Sequence, residues 1–239
     1  MKHIINNTNQ GEVAPWVTLD EDGVHYSGNV VIEEDPYEYV DLGLPSGTLW
    51  ATCNIGANKP EEYGLYFQWG ATQGYAGDDA NAHSTWSTAP FNNGAYSYDE
   101  AYFASVKDTV CPNAVLTLEY DAAHVHMGGN WRMPTIADTD ELVENTANNW
   151  ITNYNNSGIN GYLFASKING NILFIPAASD CINGSFYNVG YNGSVWTSNL
   201  SDSYQNCAYF LRFTDGYASP QYINQRCEGR SVRGVKNPS

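Results

Sequence analysis

"MPTIADTDELVENT", residues 133–146, decides whether this chain is all strand or a mixture of strand and helix. Thr135 is followed three residues later by Asp138, the spacing of a capping box, in which a hydroxyl and an acid each accept a hydrogen bond from the other's backbone N–H. Leu142 and Val143 come later in the run, so the pattern predicts a helix over about 136–145. Around it the text changes character. From "GYLFASKINGNILFIPAA" (161–178) to "RSVRGV" (230–235), β-type runs alternate with Gly and Asn turns, and Asn169-Gly170 reads as a hairpin between two apolar strands. "YEYVDLGLPSGTLWATCNIGA" (37–57) and "PEEYGLYFQWG" (60–70) read as short strands and turns. Residues 71–113 read as long loops with a short helix at "YDEAYFASV" (98–106). The whole is few helices, many short strands and much ordered loop.

Residues 1–36 read as an N-terminal β appendage to a domain over 37–239. Two strand-like runs, 16–19 and 24–32, join through Asp22-Gly23, a favoured tight-turn pair, and close on Glu33-Glu34-Asp35-Pro36. A two-stranded piece is marginal alone, so it is expected to pack on the main domain, another subunit or a larger virion or cell-surface assembly. "MKHIINNTNQ" lacks the apolar run of a secretory signal peptide, and no stretch approaches a membrane-spanning length.

The 239 residues, 42% of them hydrophobic, suffice for a sizeable core. Ten Lys and Arg against 26 Asp and Glu give a formal net charge of −16, which repels phosphate backbones and anionic lipid and argues against nucleic-acid or membrane-surface binding. The charge is uneven: residues 1–179 hold 22 acids and 5 bases, whereas 180–239 hold 4 acids and 5 bases. Eighteen Tyr and 22 Gly, with abundant Asn and Ser, suit strands, ordered loops and binding surfaces. Five cysteines cannot all pair within the chain, and three of them, Cys181, Cys207 and Cys227, fall in the last sixty residues.

"NCAYFLRF" (206–213) poses a question of facing. As a strand it turns Tyr209, Leu211 and Phe213 to one side, as a core strand should, and Ala208, Phe210 and Arg212 to the other. The expectation is that this second, mixed face points outward. No chemistry demands catalysis. His124, His126 and Asp121 would share a region, and in a strand the histidines would share a face, but no further ligands follow at a recognisable spacing, so no metal is assigned. The paired acids Glu33-Glu34 and Glu61-Glu62 lack a partner base, and neither a nucleophile elbow nor a phosphate-cradling Gly loop is present.

Five stretches carry a resemblance: "VDLGLPSGTLWATCNIGA" (40–57), "PEEYGLYFQWG" (60–70), "DAAHVHMGGNWRMPT" (121–135), "NGNILFIPAA" (169–178) and "GRSVRGV" (229–235). The chain is similar over about 37–236 to the Fibrobacter succinogenes major paralogous domain family of gut Bacteroidetes and their phages. The resemblance implies an α+β C-type-lectin-like fold of the formylglycine-generating-enzyme (sulfatase-modifying-factor) subtype, with short strands, two helices and long ordered loops. It places "GGNWRMPT" at the entry to the second helix and makes Trp131 and Arg132 structural.

Known uses of that fold differ. The formylglycine-generating enzymes are oxidases that rely on a cysteine pair; here Cys207 and Cys227 are the only late pair, without those enzymes' surrounding pattern. Calcium-dependent sugar-binding lectins carry Glu-Pro-Asn or Gln-Pro-Asp with Trp-Asn-Asp, none of which occurs. The chain also resembles target proteins of diversity-generating retroelements, whose C-terminal segment varies because template adenines are copied with errors. From an Asn codon AAC, changed adenines reach Tyr, Ser, Asp, Phe, Cys, Arg, Thr, Ile and Ala, but never Lys, Glu, Gln, Met or Trp. Between Ser198 and Cys227 there is no Lys, Glu, Met or Trp, so only Gln205, Gln221 and Gln225 require fixed codons.

The expectation is therefore a non-catalytic, cofactor-free protein displayed on a phage virion or bacterial surface, recognising a protein or glycan on another cell or particle through a variable segment about 180–227. An invariant structural or adhesion module of the same family is the alternative. Large aromatic and Arg side chains dominate contact energy, which nominates Tyr204, Phe210, Arg212, Tyr217, Tyr222 and Ile223. Ser201, Ser203, Cys207, Thr214 and Cys227 would surround them. An upstream loop would add Asp180, Cys181, Ser185, Tyr187 and Tyr191. Tyr209, Leu211, Phe213, Trp196, Val232 and Val235 are assigned to the core.

Overall fold

The capping box forms as the spacing predicts. In a computed structural model of the chain, helix α3 spans Ile136–Asn145; the Thr135 hydroxyl accepts from the Asp138 backbone N–H, and the Asp138 carboxylate accepts from that of Thr135 at 2.7 Å. The structure describes residues 3–5, 17–20, 23–26, 31–33, 36–77, 79 and 84–238. The chain divides into two compact units, Met1–Pro36 and Tyr37–Pro238.

In the first unit, β1 (His3–Ile5), β2 (Val17–Asp20), β3 (Gly23–Tyr26) and β4 (Val31–Glu33) form two antiparallel pairs, β2 with β3 and β1 with β4. The run 24–32 expected as one strand is thus two strands with different partners. The linking residue Asp22 lies outside the described residues.

The second unit is α+β. Helices α1 (Glu100–Val110) and α2 (Ala122–Met127) precede α3, so the described residues hold three α-helices where two were expected. Helix α1 is longer than its sequence signal; Asp99 caps it by accepting from the Tyr102 N–H at 2.9 Å. His124 and His126 stand on α2, with Asp121 as its N-cap, so the strand geometry considered for them does not form.

Two three-stranded antiparallel sheets accompany one larger sheet. β5 (Tyr39–Asp41) and β6 (Leu49–Asn54) open the unit, followed by the short β7 (Tyr66–Phe67). β8 (Thr146–Ile151), β9 (Gly161–Ser166) and β10 (Ile172–Pro176) make a meander, its last turn carrying Asn169-Gly170. The remaining strands are β11 (Asp180–Ile182), β12 (Ser185–Tyr187), β13 (Asn192–Leu200), β14 (Cys207–Thr214), β15 (Tyr217–Gln225), β16 (Gly229–Ser231) and β17 (Arg233–Lys236). The large sheet has the order β12-β11-β16-β13-β14-β15, with β7 also paired to β16; β17 leaves it to pair with β6. Only β13 and β16 run parallel in it.

This sheet is covered on both faces, which overturns the simple inside–outside reading of "NCAYFLRF". On one face Val195, Leu211 and Phe213 join Leu42, Trp50, Leu142 and Phe164. On the other, Trp196, Ala208 and Phe210 join Phe67, Trp69 and Phe103 of α1. Phe210, expected outside, is 2% exposed, while Tyr209, assigned to the core, is half-buried and donates toward Asp202. Alternation specifies which residues share a face; what covers that face is set by distant parts of the chain. Leu211, Phe213, Trp196, Val232 and Val235 are all buried.

Three arginines, Arg226, Arg230 and Arg233, are fully buried. Arg233 donates to Asn54 Oδ1 at 2.9 Å and to the carbonyls of Ala51 and Phe174 at 3.0 and 3.3 Å; burial pushes its pKa down to about 10. The basic surplus of the last quarter is therefore largely interior. Arg132 forks Asp138 at 2.6 and 3.1 Å, and Trp131 is buried.

Candidate functional site

Strands β14 and β15 make a hairpin closed by Asp215-Gly216, with Thr214 facing Tyr217 across the turn. Gly216 has φ of +107°, which a side chain would strain, so glycine there sets the two-residue connection. The register slips between Phe210 and Arg212, so that Phe210 faces Tyr222 and Arg212 faces Ser219. That irregularity brings Arg212 against two tyrosines of β15. Its Cζ lies 4.9 Å from the Tyr222 ring centroid and 5.6 Å from that of Tyr217, and its Nη1 donates to the Tyr217 hydroxyl. Both tyrosines are 43% exposed.

Behind this exposed trio runs a stack that reaches the core. Tyr222 meets Phe210 edge-on, with centroids 5.4 Å apart at 67°. Phe210 in turn covers the buried Arg230, whose Cζ lies 4.1 Å from its centroid and 4.4 Å from that of Trp196. Arg230 is held by Glu228 and by Asp180 Oδ1 at 3.1 Å. Such ring–cation contacts are directional and worth more away from water, so the stack orients Tyr222 and, through it, Arg212. Removing any inner member would loosen the outer ones.

The candidate residues separate into three groups. Arg212, Thr214, Tyr217, Tyr222 and Ile223 lie along the hairpin with their side chains exposed or half-buried. Tyr191, 75% exposed, immediately precedes Asn192, which pairs with Thr214, and so stands at the same turn end. Ser203 and Tyr204 are exposed at the other end, about 20 Å away along the strand at ~3.4 Å per residue. Ser185 and Tyr187 are exposed on β12, at the opposite edge of the sheet from β15. The candidates are not one constellation.

Four of them are buried and take other roles. Ser201 is 3% exposed; its Oγ accepts from the Ser203 and Tyr204 N–H groups, and so it builds the turn that displays them. Phe210 covers Arg230 as described. Cys181 is 0% exposed beside Tyr66 and Ala178, and Cys227 is 6% exposed. Half-buried Asp180 accepts from the Ser194 hydroxyl at 2.7 Å as well as meeting Arg230, so it too is bound inward. Cys207 is half-buried.

None of the five cysteines forms a disulfide. Burial pushes Cys227 up to about 12 and Cys111 up to about 11, and raises Cys207, so these thiols stay protonated near neutral pH. A protonated thiol is a poor nucleophile. Among the described residues no group of three or more His, Cys, Asp or Glu is placed to hold a metal ion. Among the described residues no helix is long and apolar enough to cross a membrane.

Sequence reasoning passed over the buried cations that organise the site. Arg226, Arg230 and Arg233 sit in a run that offers one nearby partner, Glu228 for Arg230; their other partners lie far away in sequence. The excess of bases over acids in residues 180–239 was the one available signal.

Compared with protein-family models, with curated proteins and with solved structures, the chain matches none of them.

Proposed function

We propose that this chain is a non-catalytic recognition protein that binds a protein or glycan on another cell or particle through the exposed side of the β14–β15 hairpin. The scaffold is read as C-type-lectin-like, of the formylglycine-generating-enzyme subtype. The segment about 180–227 is read as the variable region of a diversity-generating retroelement target, carried by a phage or a gut bacterium and displayed outside the cell. The observation that carries this reading is Arg212 held between Tyr217 and Tyr222 on a hairpin anchored in two cores. Binding surfaces use such pre-positioned aromatic and guanidinium groups, because little conformational freedom remains to be lost on contact. The protonated thiols favour a binding role for this face over cysteine chemistry.

The retroelement reading is tested in the source DNA. A near-copy of codons 180–233 is expected nearby, with every mismatch at an adenine of the copy. The burial pattern sharpens this: mismatches should fall on codons for exposed or half-buried positions such as Tyr187, Tyr191, Tyr204, Arg212, Tyr217 and Tyr222, and spare Phe210, Arg230 and Cys181. Mismatches at other bases, or concentrated on buried positions, defeat it.

A further inference from the structure

Arg226 differs from the other two buried arginines. Arg233 meets three oxygens and Arg230 meets two carboxylates. Arg226 donates through Nε to the Gln205 carbonyl at 2.9 Å, while its Nη1 and Nη2 are buried with no acceptor among the described residues. Four rings box the guanidinium: Phe103 at 3.9 Å, Tyr98 at 5.6 Å, and Trp69 and Trp86 at 5.7 Å from Cζ. The Tyr98 hydroxyl lies close enough to the guanidinium to interact with it, yet neither this oxygen nor Nη1 or Nη2 completes a hydrogen bond of good geometry.

Ring faces attract a cation but cannot accept from its N–H edge, so the boxed charge keeps unsatisfied donors, a costly condition. The neighbouring thiols cannot balance it, since burial keeps Cys111 and Cys227 protonated. We propose that Arg226 and Tyr98 form an internal site for a small monovalent anion of the size of chloride, held by Nη1, Nη2 and the Tyr98 hydroxyl. One negative charge neutralises one guanidinium; a divalent oxyanion would leave excess charge buried among rings. The site ties two parts of the fold together. The Arg226 backbone N–H donates to the Asn206 carbonyl, and its carbonyl accepts from the Trp69 N–H, at 2.9 and 3.1 Å. Anion occupancy would thereby brace the base of the turn that displays Ser203 and Tyr204.

The test is thermal unfolding of the full chain in sodium chloride against sodium gluconate, both at about 0.15 M to hold screening constant. The site predicts a Tm higher in chloride by about 2 °C or more, rising with chloride concentration. Arg226→Met should abolish the difference and Tyr98→Phe should reduce it. Where Arg226→Met does not fold, Tyr98→Phe carries the comparison, because it removes a single oxygen. Crystals soaked in bromide should show an anomalous peak beside Arg226. Equal Tm in the two salts, an undiminished chloride response in Tyr98→Phe, or water alone beside Arg226 would overturn the site.

Discussion

The guanidinium of Arg230 lies 4.1 Å from the ring centroid of Phe210, beneath it and away from solvent. Phe210 is thus the cover of a buried cation as well as the support of Tyr222, and it links the core to the displayed surface.

Phe210→Ala should therefore destabilise the fold rather than act on binding alone. The expected cost is about 3–5 kcal/mol, comparable to the ~2–5 kcal/mol of Leu211→Ala on the opposite face, because each leaves a cavity in a closed core. Chemical denaturation of the two variants checks this. A Phe210→Ala protein as stable as the parent would place that ring outside the core after all.

Acid should act through Asp138. Burial alone would raise its carboxyl, but hydrogen bonds from Arg132 and Thr135 outweigh it and hold the folded value below the ordinary 3.8. A lowered folded pKa means that the charged carboxylate contributes stability above the unfolded value, and that this is lost as pH falls through the folded one. Denaturation midpoints should accordingly drop below about pH 4 in the parent. Asp138→Asn, with the same shape and no charge, should be weaker by roughly 1–3 kcal/mol at neutral pH and lose less on acidification. An identical acid response in both proteins would show that this carboxylate is not responsible.

Thiol labelling gives a third check. At pH 7 the buried Cys111, Cys181 and Cys227 should resist a disulfide reagent in the native protein, Cys111 and Cys227 also because burial raises their pKa, whereas all five cysteines should react after denaturation. Mass spectrometry of the labelled peptides assigns the sites. Rapid native labelling of Cys227 would mean a thiolate that the geometry does not provide.

Local signals were legible where local chemistry decides the outcome. Thr135 and Asp138 specify the start of α3 within four residues, and Asn169-Gly170 sits in the turn between β9 and β10. The pattern of "NCAYFLRF" correctly paired Leu211 with Phe213, but Phe210 is buried in a cluster that includes Trp69 and Phe103, which no window around it contains. The buried arginines were illegible for the same reason. Arg230 is neutralised by Asp180 from another strand as well as by the neighbouring Glu228, and Arg226 is boxed by rings drawn from three separated stretches. Exposed tyrosines such as Tyr191 and Tyr204 were easier to name than to group, since grouping depends on which ends of which strands meet.

The central claim, that the exposed side of the hairpin is the recognition surface, is tested most directly with Arg212→Ala/Tyr222→Ala on an array of gut bacterial glycans and surface proteins, read beside thermal unfolding. Both side chains reach solvent, so the double variant should keep its Tm to within about 8 °C, the loss of two exposed cation–ring contacts, the hydrogen bond to Tyr217 and the edge contact on Phe210. The parent should bind a small set of array members, and the variant should lose at least about tenfold in affinity for each, as removal of contact anchors does. A variant that keeps the parent's full binding profile with its fold intact would contradict that claim.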